Sequence, residues 1–99
     1  MEAIKDASQL YEVERRAEHA ARPGFRITEL QLSPTQKVPW HHHNNVADTF
    51  YVLGGSLRIF LREPKEEVRL APGDSYRVPP RRPHLVTNGG RTSVTFLVL

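Results

Sequence analysis

The sequence predicts an all-β fold in a single domain, a small barrel or sandwich, and three observations carry that reading. Short runs of β-branched and aromatic residues recur at close, even spacing. Turn chemistry built on Gly, Pro and Asn separates them. No segment from residue 25 onward sustains a helical period.

The first clear breaker is Arg22-Pro23-Gly24, and the run after it, FRITELQL, alternates Phe25, Ile27 and Glu29 against Arg26, Thr28 and Leu30. It reads as a strand that ends at Ser33-Pro34, and Val38-Pro39-Trp40 opens the next extended segment. TFYVL, SLRIFLR and VRLA follow as strands, divided by Gly54-Gly55 and by the EPKEE turn. Pro72-Gly73-Asp74 leads into SYRV, Pro79-Pro80 into HLVT, and Asn88-Gly89-Gly90 into the final strand, TSVTFLVL. Alternation turns Phe50, Val52, Leu57 and Ile59 to the interior. In the last strand Val94, Phe96 and Val98 share one face while Leu97 and Leu99 share the other. A strand apolar on both faces predicts that the sheet packs against a second subunit as a homodimer. The apolar run reaches Leu99 with no stop signal, as in a chain that continues.

The segment before residue 22 is harder to read. SQLYEVERRAEHAAR supports either a strand around Leu10 to Glu14 or a helix across Val13 to Ala21. Residues 1–24 are therefore taken as an N-terminal segment, strand or short helix, joining a barrel of residues 25–99.

Composition narrows the chemistry. With 99 residues, 38% of them hydrophobic and 25% charged, the chain can build one small core and has no room for separate cofactor and substrate domains. It has no cysteine, so a disulfide framework and a zinc–thiolate site are excluded and any metal must be held by nitrogen and oxygen. No apolar stretch approaches the ~18 residues of a membrane span, and the polar, acidic N-terminus is unlike a signal peptide, so the expected setting is cytoplasmic without membrane attachment. The net charge of +3 raises nucleic acid as a partner. Arg58, Arg62, Arg69, Arg77, Arg81, Arg82 and Arg91 are instead spread through strand-like segments without interleaved aromatics, which argues against it. One or two arginines meeting an anionic small molecule is the milder reading, and solvated outward-facing arginines the plainest.

The chemistry concentrates in His41-His42-His43. On an extended strand His41 and His43 share a face and His42 points away, which offers two imidazoles to one metal. Asp48 follows five residues later and can complete a two-histidine, one-carboxylate set, while His84 offers a third imidazole. Singly these are weak signals, since a lone His-x-His is more often incidental and a lone histidine more often structural. Their joint spacing is specific.

That spacing resembles the cupin superfamily, and in particular its small single-domain members. The first conserved segment of cupins appears as His41, His43, Asp48 and Gly55, and the second as Gly73, Pro79, His84 and Asn88 in register. There are three departures: Thr35 stands where a glycine is usual, Asp48 where glutamate is usual, and Arg81 where a glycine is usual. Aspartate is shorter by one methylene, which leaves open whether Asp48 ligates directly, binds through water or frees a coordination position.

The resemblance implies a cupin jelly-roll β-barrel holding one divalent transition metal (iron, manganese, nickel, copper or zinc) on His41, His43, Asp48 and His84. It implies a small-molecule ligand or substrate entering beside the ion. A metalloenzyme acting on a small sugar or organic acid, as oxygenase or as isomerase/lyase, is the expected function, with a non-catalytic binding or sensor module as the alternative. Tyr51, Tyr76 and Arg77 are weak catalytic candidates, on condition that they face inward.

Overall fold

The computed structural model describes residues 11–99, so the part of the N-terminal alternatives that falls on Leu10 lies outside the described residues. Among the described residues all regular structure is β: β1 (Arg15–Arg22), β2 (Phe25–Leu32), β3 (Lys37–His41), β4 (Asp48–Gly54), β5 (Leu57–Leu61), β6 (Glu66–Leu70), β7 (Ser75–Val78), β8 (His84–Asn88) and β9 (Val94–Val98). No helix among these residues is long and apolar enough to cross a membrane.

The strands form two antiparallel sheets, a five-stranded sheet in the order β1-β2-β9-β4-β7 and a four-stranded sheet in the order β3-β8-β5-β6. Neighbours that are far apart in sequence, such as β2 with β9 and β3 with β8, make this the two-layer jelly roll expected of an all-β chain that must bury one face of each sheet. The core is what alternation requires. Leu30, Leu32, Phe50, Val52, Leu57, Ile59, Leu61, Val78, Val86, Val94 and Phe96 are all buried. Phe50 and Phe96 meet at 6.1 Å between ring centroids, in the middle of the five-stranded sheet's inner face.

Among the described residues the N-terminal segment forms a strand, Arg15–Arg22: no helix covers Val13 to Ala21, and residues 11–14, the described part of the Leu10 to Glu14 alternative, lie before it. Pairing with β2 decides the matter, through a register that runs from Arg15 opposite Gln31 to Arg22 opposite Phe25. Pro23 and Gly24 form the connecting turn, Gly24 with φ +76°. Ala, Arg and Glu are good helix formers, but propensity is a small term per residue, and the hydrogen-bond ladder offered by β2 outweighs it.

Two turn positions explain family-like residues. Gly55 has φ +83°, and a Cβ there would lie 2.5 Å from the Ser93 carbonyl oxygen and 2.8 Å from Val94 Cα, so only glycine fits. Asn88 closes the turn before β9: its side-chain amide donates to the Leu32 and Thr92 carbonyls, and its Oδ1 accepts from Gly90 N–H.

Candidate metal centre

The histidines come together because of a bulge. Val38 pairs with Val86 and His41 with His84, so three steps on β3 match two on β8, and the extra residue falls at Pro39-Trp40. Pro39 has no N–H to give the ladder, which suits it to such a position. Simple alternation would send Val38 and His41 to opposite faces. With the bulge both point inward, Val38 into the core and His41 into the open end of the barrel.

His41 and His84 are thus cross-strand partners, with ring centroids 4.2 Å apart. Beyond the end of β3, His42 is exposed and His43 is half-buried, as the parity of an extended chain requires. Asp48 opens β4 on the other sheet. The backbone N–H of Arg81 donates to the carbonyl of His43, tying the β3–β4 loop to the β7–β8 loop. Arg81 has φ +64°, the left-handed conformation that explains why glycine is usual at its place in the family.

Three imidazoles converge on one carboxylate oxygen. Nε2 of His43, His84 and His41 lies 2.9, 3.1 and 3.6 Å from Asp48 Oδ2. The ligating atoms of His41, His43 and Asp48 all fall within 4.8 Å of one another, a group able to hold a metal ion. His41 Nδ1–H donates to the Pro39 carbonyl at 2.8 Å and His84 Nδ1–H to the Arg82 carbonyl at 2.8 Å. These bonds assign the proton of each neutral ring to Nδ1 and leave the Nε2 lone pair facing Asp48. Burial by itself would raise the Asp48 pKa; where an imidazole also carries a proton on Nε2 it donates to Asp48, and such hydrogen bonds from His41, His43 and His84 outweigh burial and hold the carboxyl well below its ordinary value.

The donor set fits a divalent ion. A lone pair aimed at a carboxylate oxygen is unfavourable unless a proton or a cation lies between them. Ligands about 2.1 Å from a shared ion are themselves separated by about 3.0 Å in an octahedron and about 3.4 Å in a tetrahedron. The three imidazole–Asp48 separations lie in or near that range, while His84, 3.1 Å from Asp48 Oδ2, stands outside the set of His41, His43 and Asp48 whose ligating atoms all lie within 4.8 Å of one another. The shorter aspartate therefore still reaches the three rings.

The centre forms one wall of an open cavity of about 770 Å³, which His41, His43 and Asp48 share with Phe50, Tyr11 and three arginines of the β1–β2 hairpin. Tyr51, Tyr76 and Arg77 do not line it. Tyr51 and Arg77 are exposed, pointing away from the core, and Tyr76 packs against the core. The inward orientation on which Tyr51 and Arg77 depended is absent, because both alternate with buried neighbours: Phe50 and Val52 for Tyr51, Val78 for Arg77. Tyr11 is the tyrosine in the cavity. Its inward pairing with Val13 against the core is the signal in the sequence, obscured by the charged residues around it.

A two-sheet jelly roll with a histidine–carboxylate cluster at one open end defines a class of small barrel proteins. Within that class the chain belongs to the cupin family, since the family model described as "Cupin domain" matches residues 28–99. No curated protein matches the sequence. Among solved structures, a cupin-2 domain protein from Shewanella frigidimarina is 18% identical with a TM-score of 0.72, the alignment covering 96% of this chain and 88% of that one. A predicted oxalate decarboxylase from Thermotoga maritima is 20% identical with a TM-score of 0.74, covering 84% of this chain and 75% of that one. Drosophila melanogaster CENP-C, solved bound to CAL1, is 12% identical with a TM-score of 0.76, covering 85% of this chain and 67% of that one. At these identities the likeness is one of fold.

Proposed function

We propose that this cupin is a metalloenzyme that binds one divalent transition metal on His41, His43, His84 and Asp48 and acts on a small polar molecule in the adjoining cavity. The observation that carries this reading is the convergence of three Nε2 atoms on Asp48 Oδ2 at the wall of an open cavity. When bound, such an ion supplies Lewis-acid polarisation of a carbonyl or hydroxyl or, if redox-active, one-electron chemistry.

The chain's own residues set the conditions for that chemistry. The Pro39 and Arg82 carbonyls fix two of the imidazoles in the tautomer that presents Nε2. Phe50 packs edge-on to His84 at 5.9 Å and, with the core beneath it, closes the inner side of the centre to water. The cavity is the approach it leaves to a substrate among the described residues.

The test is elemental analysis of protein made without a tag, followed by turnover assays of the reconstituted forms on small acids and sugars. An oxygenase consumes oxygen with its substrate in the iron form. An isomerase or lyase turns over equally well without oxygen. Tight ligand binding with no turnover under either condition would favour a binding module.

A further inference from the structure

The β1–β2 hairpin gives the cavity a cationic wall, lined by Arg16, Arg22 and Arg26 and preceding the cupin match, which begins at residue 28. The strand register separates these arginines. Arg22 lies opposite Phe25 at the turn and Arg26 has Glu18 at 3.5 Å, while Arg16 lies opposite Leu30, a buried residue of the inner face. Cross-strand partners share a face, so Arg16 projects on the side of the core. There its Nη2–H donates to the Tyr11 hydroxyl at 2.9 Å. Tyr11 packs against the core and lines the same cavity as His41, His43 and Asp48. One hydrogen bond thus sets two polar groups side by side within that cavity.

The chemistry of the pair is one-sided. The Tyr11 oxygen accepts from the guanidinium, which polarises the phenol's own O–H, and among the described residues that hydrogen meets no acceptor. Burial raises the phenol above its ordinary pKa against the lowering by Arg16, and the charge of Asp48 adds to the rise, so the hydroxyl keeps its proton at neutral pH. Arg16 offers donors only, and among the described residues it forms no salt bridge. Asp48, already engaged by the imidazoles, is the only acidic side chain in the lining. A group that answers the pair must accept hydrogen bonds and carry negative charge, as a carboxylate does. A sugar hydroxyl can accept one bond but leaves the guanidinium charge unanswered.

We propose that Tyr11 and Arg16 form a carboxylate-binding subsite of the cavity, in which the Tyr11 O–H donates to a carboxylate oxygen and the guanidinium that holds the hydroxyl answers the charge. This deepens the proposed function and rests on it for the meaning of the site, but the subsite uses residues outside the metal centre. The test titrates benzoate and the isosteric, neutral benzamide into metal-loaded and metal-free protein by calorimetry. Benzoate is expected to bind at least about tenfold more tightly than benzamide. Tyr11→Phe and Arg16→Gln should each lower that preference at least about threefold, with metal uptake at the wild-type value. Phenylalanine keeps the ring that packs on the core and Arg16 is exposed, so both variants should fold, and their unfolding temperatures verify this. Location is read from fluorine resonances of fluorotyrosine-labelled protein, where the chain's three tyrosines give three signals and Tyr11→Phe assigns one of them. Benzoate should shift the Tyr11 signal over the same concentrations at which it binds. Equal affinity for the two probes, no benzoate binding at millimolar concentration, a Tyr11 signal that stays still while benzoate binds, or a preference unchanged in both variants overturns the inference. Failure of the metal reading would appear separately, as protein that takes up no ion while benzoate still shifts Tyr11.

Discussion

Asp48 is the residue on which the centre turns, because every imidazole is measured against its Oδ2. Its sequence position marked it as a carboxylate of uncertain reach. Three contacts between 2.9 and 3.6 Å set its Oδ2 among the imidazole Nε2 atoms, where a direct ligand would stand. Asp48→Ala is therefore expected to weaken metal retention about as much as His43→Ala, by ten- to a hundredfold or more in competition with a chelator. A much smaller loss would place the aspartate outside the first coordination shell. Gly55 and Arg81 test the backbone in the same way. Gly55→Ala meets the Ser93 carbonyl and Val94 at a positive φ and should lose about 2–4 kcal/mol, read as a drop in unfolding temperature of ~10 °C or more. Arg81→Gly relieves strain but frees the unfolded chain, so its stability should stay within about 1 kcal/mol of wild type. Arg81→Val, β-branched at φ +64°, should lose about 2 kcal/mol.

Strands were legible where one face is buried and the other is not. β2 and β5 show it plainly: Thr28, Leu30 and Leu32 alternate with more exposed neighbours, as do Leu57, Ile59 and Leu61. β1 carries no such signal, since it is an edge strand with no fully buried residue, and pairing with β2 rather than its own pattern makes it a strand. Tyr11 and the hairpin arginines lie in or beside that unreadable stretch, which is why the cavity's cationic wall was missed while the histidines were found. The β3 bulge was legible only as a proline inside a strand. It also supplies a parity test. With His41 and His43 inward and His42 exposed, His43→Ala should lose most of the metal and His42→Ala should keep it. Loss in His42→Ala with retention in His43→Ala would mean that the strand is registered one residue off.

For the whole molecule, the candidate metal centre lies where the two sheets open: His41 and His84 come from the four-stranded sheet and Asp48 from the five-stranded one. The outer face of the five-stranded sheet carries Leu97 beside Tyr51, which is 38% exposed, with Leu53 and Leu99 exposed nearby. Burial of that stripe against a second copy is the expected basis of a homodimer. Light scattering at micromolar concentration should give twice the chain mass for the wild type and a monomer for Leu97→Glu; a monomeric wild type would contradict it. The central claim, however, is that three imidazoles and a carboxylate hold one ion, and the most direct test is X-ray absorption at the edge of the metal in untagged, reconstituted protein. The structure predicts about one ion per chain with three imidazole nitrogens and at least one oxygen in its shell. Protein that takes up no ion, or a shell of oxygens with one imidazole or none, would contradict it.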